Sequence, residues 1–403
     1  MDNHRADFWP AVTYHEFPWR ADGRILEMVS HRQRQILSQP YRASILKPIA
    51  DAIPRWSGET QALLDDATAN LIRFDMEMAN TPVPMPAILL RTESASSSQI
   101  EQLTTSARQL AMATIGVSDK QNAMLVAANV RAMQLALKIP PPLNDNAVLQ
   151  IHSTLLGQSQ PDIVGRYRTQ PVWIGGSNLS PHNAEFVPPQ SAEVPKAMAD
   201  LTAFASRNDI QPLAHAALVH AQFETIHPFE DGNGRTGRVI LQTILRERGL
   251  SEHSTIPISA GLLADTDAYF QALTSFRDGD IQPIIECVCL ASNASVLNGR
   301  LLAQDIDLVR RRWIEEVPVR QASASRILME YLFAQPVVNV EWLTQALEIP
   351  ERTARHAIGK LADAGLLVET SAARRNRVWQ APEVLSAMDA FASRAGRRRI
   401  PSS

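Results

Sequence analysis

HPFEDGNGRTGR, residues 227–238, decides how the rest of this chain is read. A histidine precedes a turn rich in glycine and carboxylate, and the turn runs into two arginines, Arg235 and Arg238. Successive Gly232, Asn233 and Gly234 let backbone N–H groups converge on one point, as a concave anion site requires. A helix starting near Gly234 or Arg235 and stopping at Gly249 would aim its first N–H groups and its dipole at the same point. Arg235 and Arg238 lie three apart, on one face of its first turn, spaced to grip phosphate oxygens. Asp231, at the rim, would repel a bare phosphate but could hold Mg²⁺ bridging two of them. His227, neutral near pH 7, can take a proton from an incoming hydroxyl. The set suits phosphoryl or nucleotidyl transfer better than hydrolysis through a covalent nucleophile, since no Ser or Cys sits in a nucleophile elbow. The competing reading is a polar turn between two helices with solvated arginines. A lone GNG would be read that way; the ordered His, acid, Gly and Arg favour a site.

The surrounding chain has 403 residues, 45% hydrophobic, enough for a large core and for two or three domains. A net charge of −3 excludes a globally basic nucleic-acid binder, though not a local basic module. Cys287 and Cys289, on an apolar run without clustered His, make a poor zinc site and fit buried thiols in a reducing compartment. No stretch approaches the ~20 apolar residues that span a bilayer. A cytoplasmic protein with no membrane contact is the expectation.

Helical periodicity dominates, so the fold is expected to be mainly α. Helices are expected over residues 59–78, 98–112, 120–137, 145–156, 195–207, 211–225, 266–276 and 283–313. The prolines of TPVPMP (81–86) and IPPPLND (139–145) mark breaks. Residues 166–189 differ: β-branched and aromatic residues flank Gly175-Gly176, the signature of a β-hairpin. Near the C-terminus, helices at 322–334, 340–347 and 351–364 precede short strands at 366–369 and 377–380 around the basic loop SAARRN. That is the order of a winged helix-turn-helix.

The opening stretch matches, at every fixed position, the pattern H-x-F-x-(D/E)-G-N-G-R-x-x-R of Fic proteins, and so resembles that family: His227, Phe229, Asp231, Gly232, Asn233, Gly234, Arg235 and Arg238. The resemblance implies transfer of AMP from ATP to a Ser, Thr or Tyr hydroxyl of a target protein, with release of pyrophosphate. It implies His227 as general base, Phe229 as the anchor of the loop, and Asp231 as ligand of Mg²⁺ between the α- and β-phosphates. Gly232, Asn233 and Gly234 become the anion nest, Arg235 the grip on the phosphates, and Arg238 the partner of the γ-phosphate. The hairpin at 166–189 stands where the family carries a flap on which the target's backbone docks by β-augmentation. Residues 266–273 resemble the helix beside the base pocket, with Tyr269 as its wall.

A second stretch, RTESASSSQIEQL (91–103), reads two ways. Ser98-x-x-Glu101 is a capping box at a helix start. Ser97-x-x-x-Glu101 also resembles the (S/T)-x-x-x-E-(G/N) inhibitory helix of many Fic proteins, here expected over about 97–112. There the Glu pairs with the motif's second arginine, Arg238, and keeps the γ-phosphate from seating. Gln102 departs from the family's Gly or Asn. In some relatives the same Glu aligns a water that removes AMP, and sequence leaves the direction open.

The expected division is a helical N-terminal region (1–140), a Fic catalytic core (141–300), a linker helix with the winged helix (301–396), and a basic tail (397–403). Arg352, Arg355, Lys360, Arg374, Arg375 and Arg377 could meet DNA through residues 340–380, although such modules also dock proteins or pair into homodimers. Three functions follow: an adenylyltransferase autoinhibited by Glu101; the same core removing AMP or using another nucleotide donor; or a DNA-binding regulator whose core senses nucleotide.

Overall fold

Pro84 and Pro86 begin a helix where a break was expected. The structure, a computed structural model, describes residues 9–21, 23–177, 179–317, 323–370 and 377–396. Along the chain come β1 (Thr13–Phe17), α1 (Gly23–Met28), α2 (His31–Leu37), β2 (Tyr41–Ile45) and α3 (Gly58–Ala79). Then follow α4 (Met85–Ile100), α5 (Ala107–Thr114), α6 (Gln121–Ala136) and α7 (Asp145–Leu156). Next are α8 (Val194–Ala205), α9 (Pro212–Ile226), α10 (Asn233–Glu247), α11 (Ile258–Leu263), α12 (Thr266–Arg277) and α13 (Gln282–Glu316). The chain closes with α14 (Ala324–Ala334), β3 (Val337–Asn339), α15 (Val340–Ala346), α16 (Glu351–Asp363), β4 (Val368–Glu369), β5 (Val378–Gln380) and α17 (Pro382–Ala395). The mainly α expectation holds.

These elements form two compact units, interleaved in sequence. The first takes the described residues of Met1–Leu64, Ile139–Arg248 and Asp267–Cys287. Its centre is α9, buried at every position from Leu213 to Ile226, with His215, His220, Gln222, Glu224 and Thr225 set among its apolar residues. α10 and α8 pack on α9, and α7 on α10. α10 ends where expected, with Gly249 in the left-handed region (φ 74°) just past the cap. A β-ribbon was not anticipated from sequence: β1 pairs antiparallel with β2 in register Thr13↔Ile45 to Phe17↔Tyr41.

The second unit takes Asp65–Lys138, Gly249–Thr266 and the described residues of Val288–Ser403. Residues 65–138 thus group with the C-terminal part, unlike the linear division at 140 and 300, because α4 packs on α6, α11, α14 and α17. Here the expected inhibitory helix over 97–112 is corrected. α4 begins at Met85, with proline tolerated in its first turn, and its C-cap is Glu101. Ser98 lies inside that last turn and donates to Ser94 O (2.9 Å), so it caps no helix start. A separate helix, α5, starts behind the N-cap Ser106. The family's Gly/Asn position explains itself: Gln102 has φ 63°, the left-handed geometry that glycine and asparagine adopt most readily.

Buried polar groups fix α4's register. Glu93, fully buried, accepts from Ser259 N (2.9 Å) and Ser259 Oγ (2.6 Å). Asn129 Nδ2 donates to Ser94 O (2.9 Å) and Ser98 Oγ (3.2 Å). In the C-terminal segment β3, β5 and β4 form a three-stranded antiparallel sheet in that order, with α15 against β3 and both α14 and α15 packed on α16. Arg374, Arg375 and the tail 397–403 lie outside the described residues. Among the described residues no helix is long and apolar enough to cross a membrane.

Candidate active site

His227 ends α9 in the left-handed conformation (φ 50°, ψ 61°), its N–H bonded to Phe223 O, and Pro228 prevents further helix. That cap turns the ring out of the helix. Nδ1 lies 3.4 Å from Glu224 O and 4.0 Å from the Glu224 carboxylate. Both are acceptors, so the ring proton belongs on Nδ1 and Nε2 keeps its lone pair. Burial, with the nearby charges of Arg168 and Arg277, pushes the imidazole down to about 3 and keeps it neutral.

Six residues on, at Asn233, the loop closes on itself. The Asn233 side chain accepts from Phe229 N and donates to Phe229 O, both at 2.9 Å. Phe229 is fully buried and stacked on His152 (3.7 Å between centroids, 3° between planes), with Tyr167 and Phe223 around it. His152 Nε2 reaches Asp231 O at 3.1 Å. Phe229 packs the loop into the core, and the Asn233 side chain clasps the loop through Phe229's backbone. Gly232 caps α10 with φ 76°; a Cβ there would sit 3.0 Å from Leu156 and 3.3 Å from Leu155. α10's first backbone bond runs from Thr236 N to Gly232 O (3.0 Å), so the amides of Asn233 and Gly234 precede the ladder at its positive end.

Asp231, 45% exposed at its side chain, receives Gly232 N on Oδ1 (2.6 Å) and Gln160 Nε2 on Oδ2 (2.6 Å), with Arg235 Nη2 at 3.5 Å. Arg235 and Arg238 are both buried. Behind them Tyr269 is 1% exposed and stacks on His220 (6.0 Å, 14°), with its hydroxyl 2.7 Å from His220 Nε2. Tyr269 also hydrogen-bonds Arg238. Its expected place as a pocket wall is therefore corrected: its ring is packed away and its hydroxyl braces Arg238 from within the core. Burial raises the Tyr269 phenol and pushes His220 down to about 3.

Sequence reading missed Arg168. Its backbone N–H donates to Pro228 O (2.9 Å), and its guanidinium donates to His227 O (2.8 Å), Pro189 O (2.7 Å), Gln170 O (3.2 Å) and Ile226 O (3.4 Å). A cation on the last carbonyls of α9 suits both their orphaned lone pairs and the helix dipole. Burial pushes it down to about 10, still charged at neutral pH. Gly237 was missed too: a Cβ would meet Glu224 Oε1 at 2.8 Å and Phe223 at 3.0 Å, so glycine lets α10 approach α9. The available signal was a glycine inside a helix, between Arg235 and Arg238.

The expected hairpin over 166–189 shrinks to one antiparallel bridge, Ile174↔Phe186, turning on Gly175 and Gly176 (both φ 74°). Pro171, Pro181, Pro188 and Pro189 remove the N–H groups a longer ladder needs. Val187 O accepts from Ser44 N of β2 (3.0 Å), and Val187 packs with Tyr41 and Ala43. The ribbon therefore occupies one edge of this segment. Arg277 stacks over Phe186 at 3.9 Å, linking the same segment to α12. Ser97 is buried in α4 and Glu101 is half-buried at its end. On α16, Arg355 is bonded to Glu351 (2.9 Å), and Arg377 lies 3.3 Å from Glu369.

These features define the class of domain. Residues 142–245, α7 to α10 with the segment between them, match the model of the Fic/DOC family, and the chain carries a Fic/DOC domain there. The chain is 32% identical over 150 residues to "Protein adenylyltransferase fic-1" of Caenorhabditis elegans, covering 37% of this chain and 27% of that protein. It is 30% identical over 152 residues to "Protein adenylyltransferase Fic" of Nematostella vectensis, covering 37% and 32%. It thus spans about a third or less of these relatives. A Fic family protein from Desulfovibrio desulfuricans G20 shares the fold, with TM-score 0.53 and 22% identity over 83% of this chain and 98% of that one.

Proposed function

We propose that this protein is a Fic-type protein adenylyltransferase, moving AMP from ATP to a hydroxyl of a target protein and releasing pyrophosphate. The observation that carries the reading is the His227 ring, neutral and protonated on Nδ1, held one clasped loop away from the opening amides of α10. The similarity to proteins named adenylyltransferases supports it.

In this reading the hydroxyl oxygen attacks the α-phosphorus, the bond to the β-phosphate oxygen breaks, and His227 Nε2 takes the hydroxyl proton. A bound polyphosphate brings negative charge beside the ring. It opposes Arg168 and Arg277 and raises the ring's proton affinity when substrate is present. Asn233, Gly234 and Gly232 form the cradle, Arg235 holds phosphate oxygens, and Arg238, braced by Tyr269, serves the γ-phosphate. Among the described residues no group of three His, Cys, Asp or Glu could hold a metal alone. A single half-exposed carboxylate fits Mg²⁺, which takes one or two carboxylates and completes its shell with phosphates and water. Asp231 would hold it, and the ion would neutralise phosphate charge.

Glu101 is read as the autoinhibitory group that pairs with Arg238, presented by Ser97 and the end of α4. The segment 166–189 is read as the docking flap, with the Trp173–Ile174 side open to the target because β2 takes the other. The C-terminal segment is read as a winged helix. The pairing of Arg355 and Arg377 with acids favours a protein partner for it over DNA. Mass spectrometry of the Glu101→Gly protein with Mg²⁺ and ATP tests the reading. A gain of one AMP on protein supports it, and its absence with every nucleoside triphosphate overturns it.

A further inference from the structure

The solvent face of α13 has the wrong composition for a surface. Between Val288 and Val309 its exposed positions are Leu290, Leu297, Leu301, Gln304 and Leu308. The four leucines are 60%, 56%, 46% and 66% exposed. Water-facing positions of a soluble helix are ordinarily polar, and single exposed leucines are common whereas a continuous row of them is not. Their spacing of seven, four and seven is the d, d, a, a sequence of a heptad seam, with Ala294 at a and Gln304 at d completing it.

The row is also its own complement. Reversed about Gly299, Leu290 falls opposite Leu308, Leu297 opposite Leu301, and Ala294 opposite Gln304. A two-fold interface demands this, since residue i must meet j while j meets i. The seam runs about 27 Å at ~1.5 Å per residue, five turns along which two copies can interdigitate. The polar groups on both flanks are already matched within the chain. On one side Asn293 takes Asn70 (3.0 Å), and Arg300 takes Glu77 (2.7 and 3.0 Å). On the other, Asn298 and Asp305 take Arg394 (2.6 and 3.3 Å). A partner helix laid on the leucines strands no charge.

We infer that α13 pairs antiparallel with α13 of a second copy of this chain, Leu290 against the partner's Leu308 and Leu297 against the partner's Leu301. The pairing is independent of the transfer chemistry. Sedimentation velocity of the full chain at micromolar concentration should show a dimer. Leu297→Glu with Leu301→Glu should yield a folded monomer whose melting temperature, unlike the parent's, does not depend on protein concentration, because both positions are exposed within one copy. Leu290→Glu alone should loosen the dimer by about 30-fold or more. Adding Leu308→Lys to it should restore the dimer, since antiparallel pairing sets each Glu against a Lys. A monomeric parent chain, a dimer that survives the Leu297/Leu301 change, or a Leu290→Glu/Leu308→Lys protein no tighter than Leu290→Glu would each overturn the inference.

Discussion

Among the described residues three helices end at a non-glycine residue in the left-handed conformation, His227, Gln102 and Glu348, and the ends of α9 and α4 differ in what holds them. At the end of α9, His227 (φ 50°) is locked by Pro228, by the Arg168 guanidinium on its carbonyl, and by its own N–H on Phe223. At the end of α4, Gln102 (φ 63°) is exposed, and its N–H makes one short-range bond, to Gln99 O. A non-glycine residue in this region costs about 1–2 kcal/mol, which persists only where neighbours compensate. At His227 the compensation is dense and aims a chemical group. At Gln102 it is short-range, Thr104 N on its carbonyl and Leu103 N on Ser98 O, and it closes the end of α4 beside the residue read as the inhibitor.

The largest break in that comparison is His227→Ala. It should lower AMP transfer by up to about 10⁴-fold while leaving ATP binding in place, measured with labelled ATP. Wild-type-like turnover would remove His227 from the chemistry. Arg168→Ala should cost roughly 100-fold in turnover by loosening the ring's mount. It should also shift the acid limb of the pH–rate profile upward, because a cation that disfavours protonated His227 is gone. Arg168→Lys keeps the charge and loses the fork, so turnover should fall with the limb unmoved; identical profiles for the two variants would reduce Arg168 to a loop staple.

On the other side of the comparison, Glu101→Gly should raise transfer by about 5–150-fold, the usual range of a coupling between sites. Unchanged activity, with His227→Ala still inactive, removes the autoinhibition. Acid should then separate the two ends. His215, His220 and His227 are held near 4, 3 and 3, below the ~6.5 of an unfolded chain. The unfolded chain therefore takes up protons first. Stability present above about pH 6.5 should fall on acidification, by up to about 1.4 kcal/mol per pH unit per histidine, and stay flat above pH 7. Denaturant melts across that window check the slope. The smallest effect is Gln102→Gly, which should stabilise by about 1 kcal/mol in a urea melt by relieving the left-handed strain. No gain would show that the strain is already compensated.

The sequence by itself determined the motif and its order, since the chemistry proposed for His227, Asp231, Gly232 and the arginines is carried by residue type and spacing. It also determined most helices of the first unit, because their apolar period is long and their ends are marked, as at Gly249. Tertiary structure alone decided the mounts. Arg168 is 59 residues from the carbonyl it grips, and no local pattern encodes such a contact. The same holds for Tyr269, which looks like a pocket aromatic and is a buried brace. α4 illustrates the boundary best. Ser98 and Glu101 carry the local code of a helix start, yet the residues sit at a helix end, because Asn129 and Ser259 satisfy the polar face of a helix that began at Met85. Local hydrogen-bond codes are worth about 1 kcal/mol each. Packing a whole buried helix outweighs them, and only the fold reveals which helix is packed.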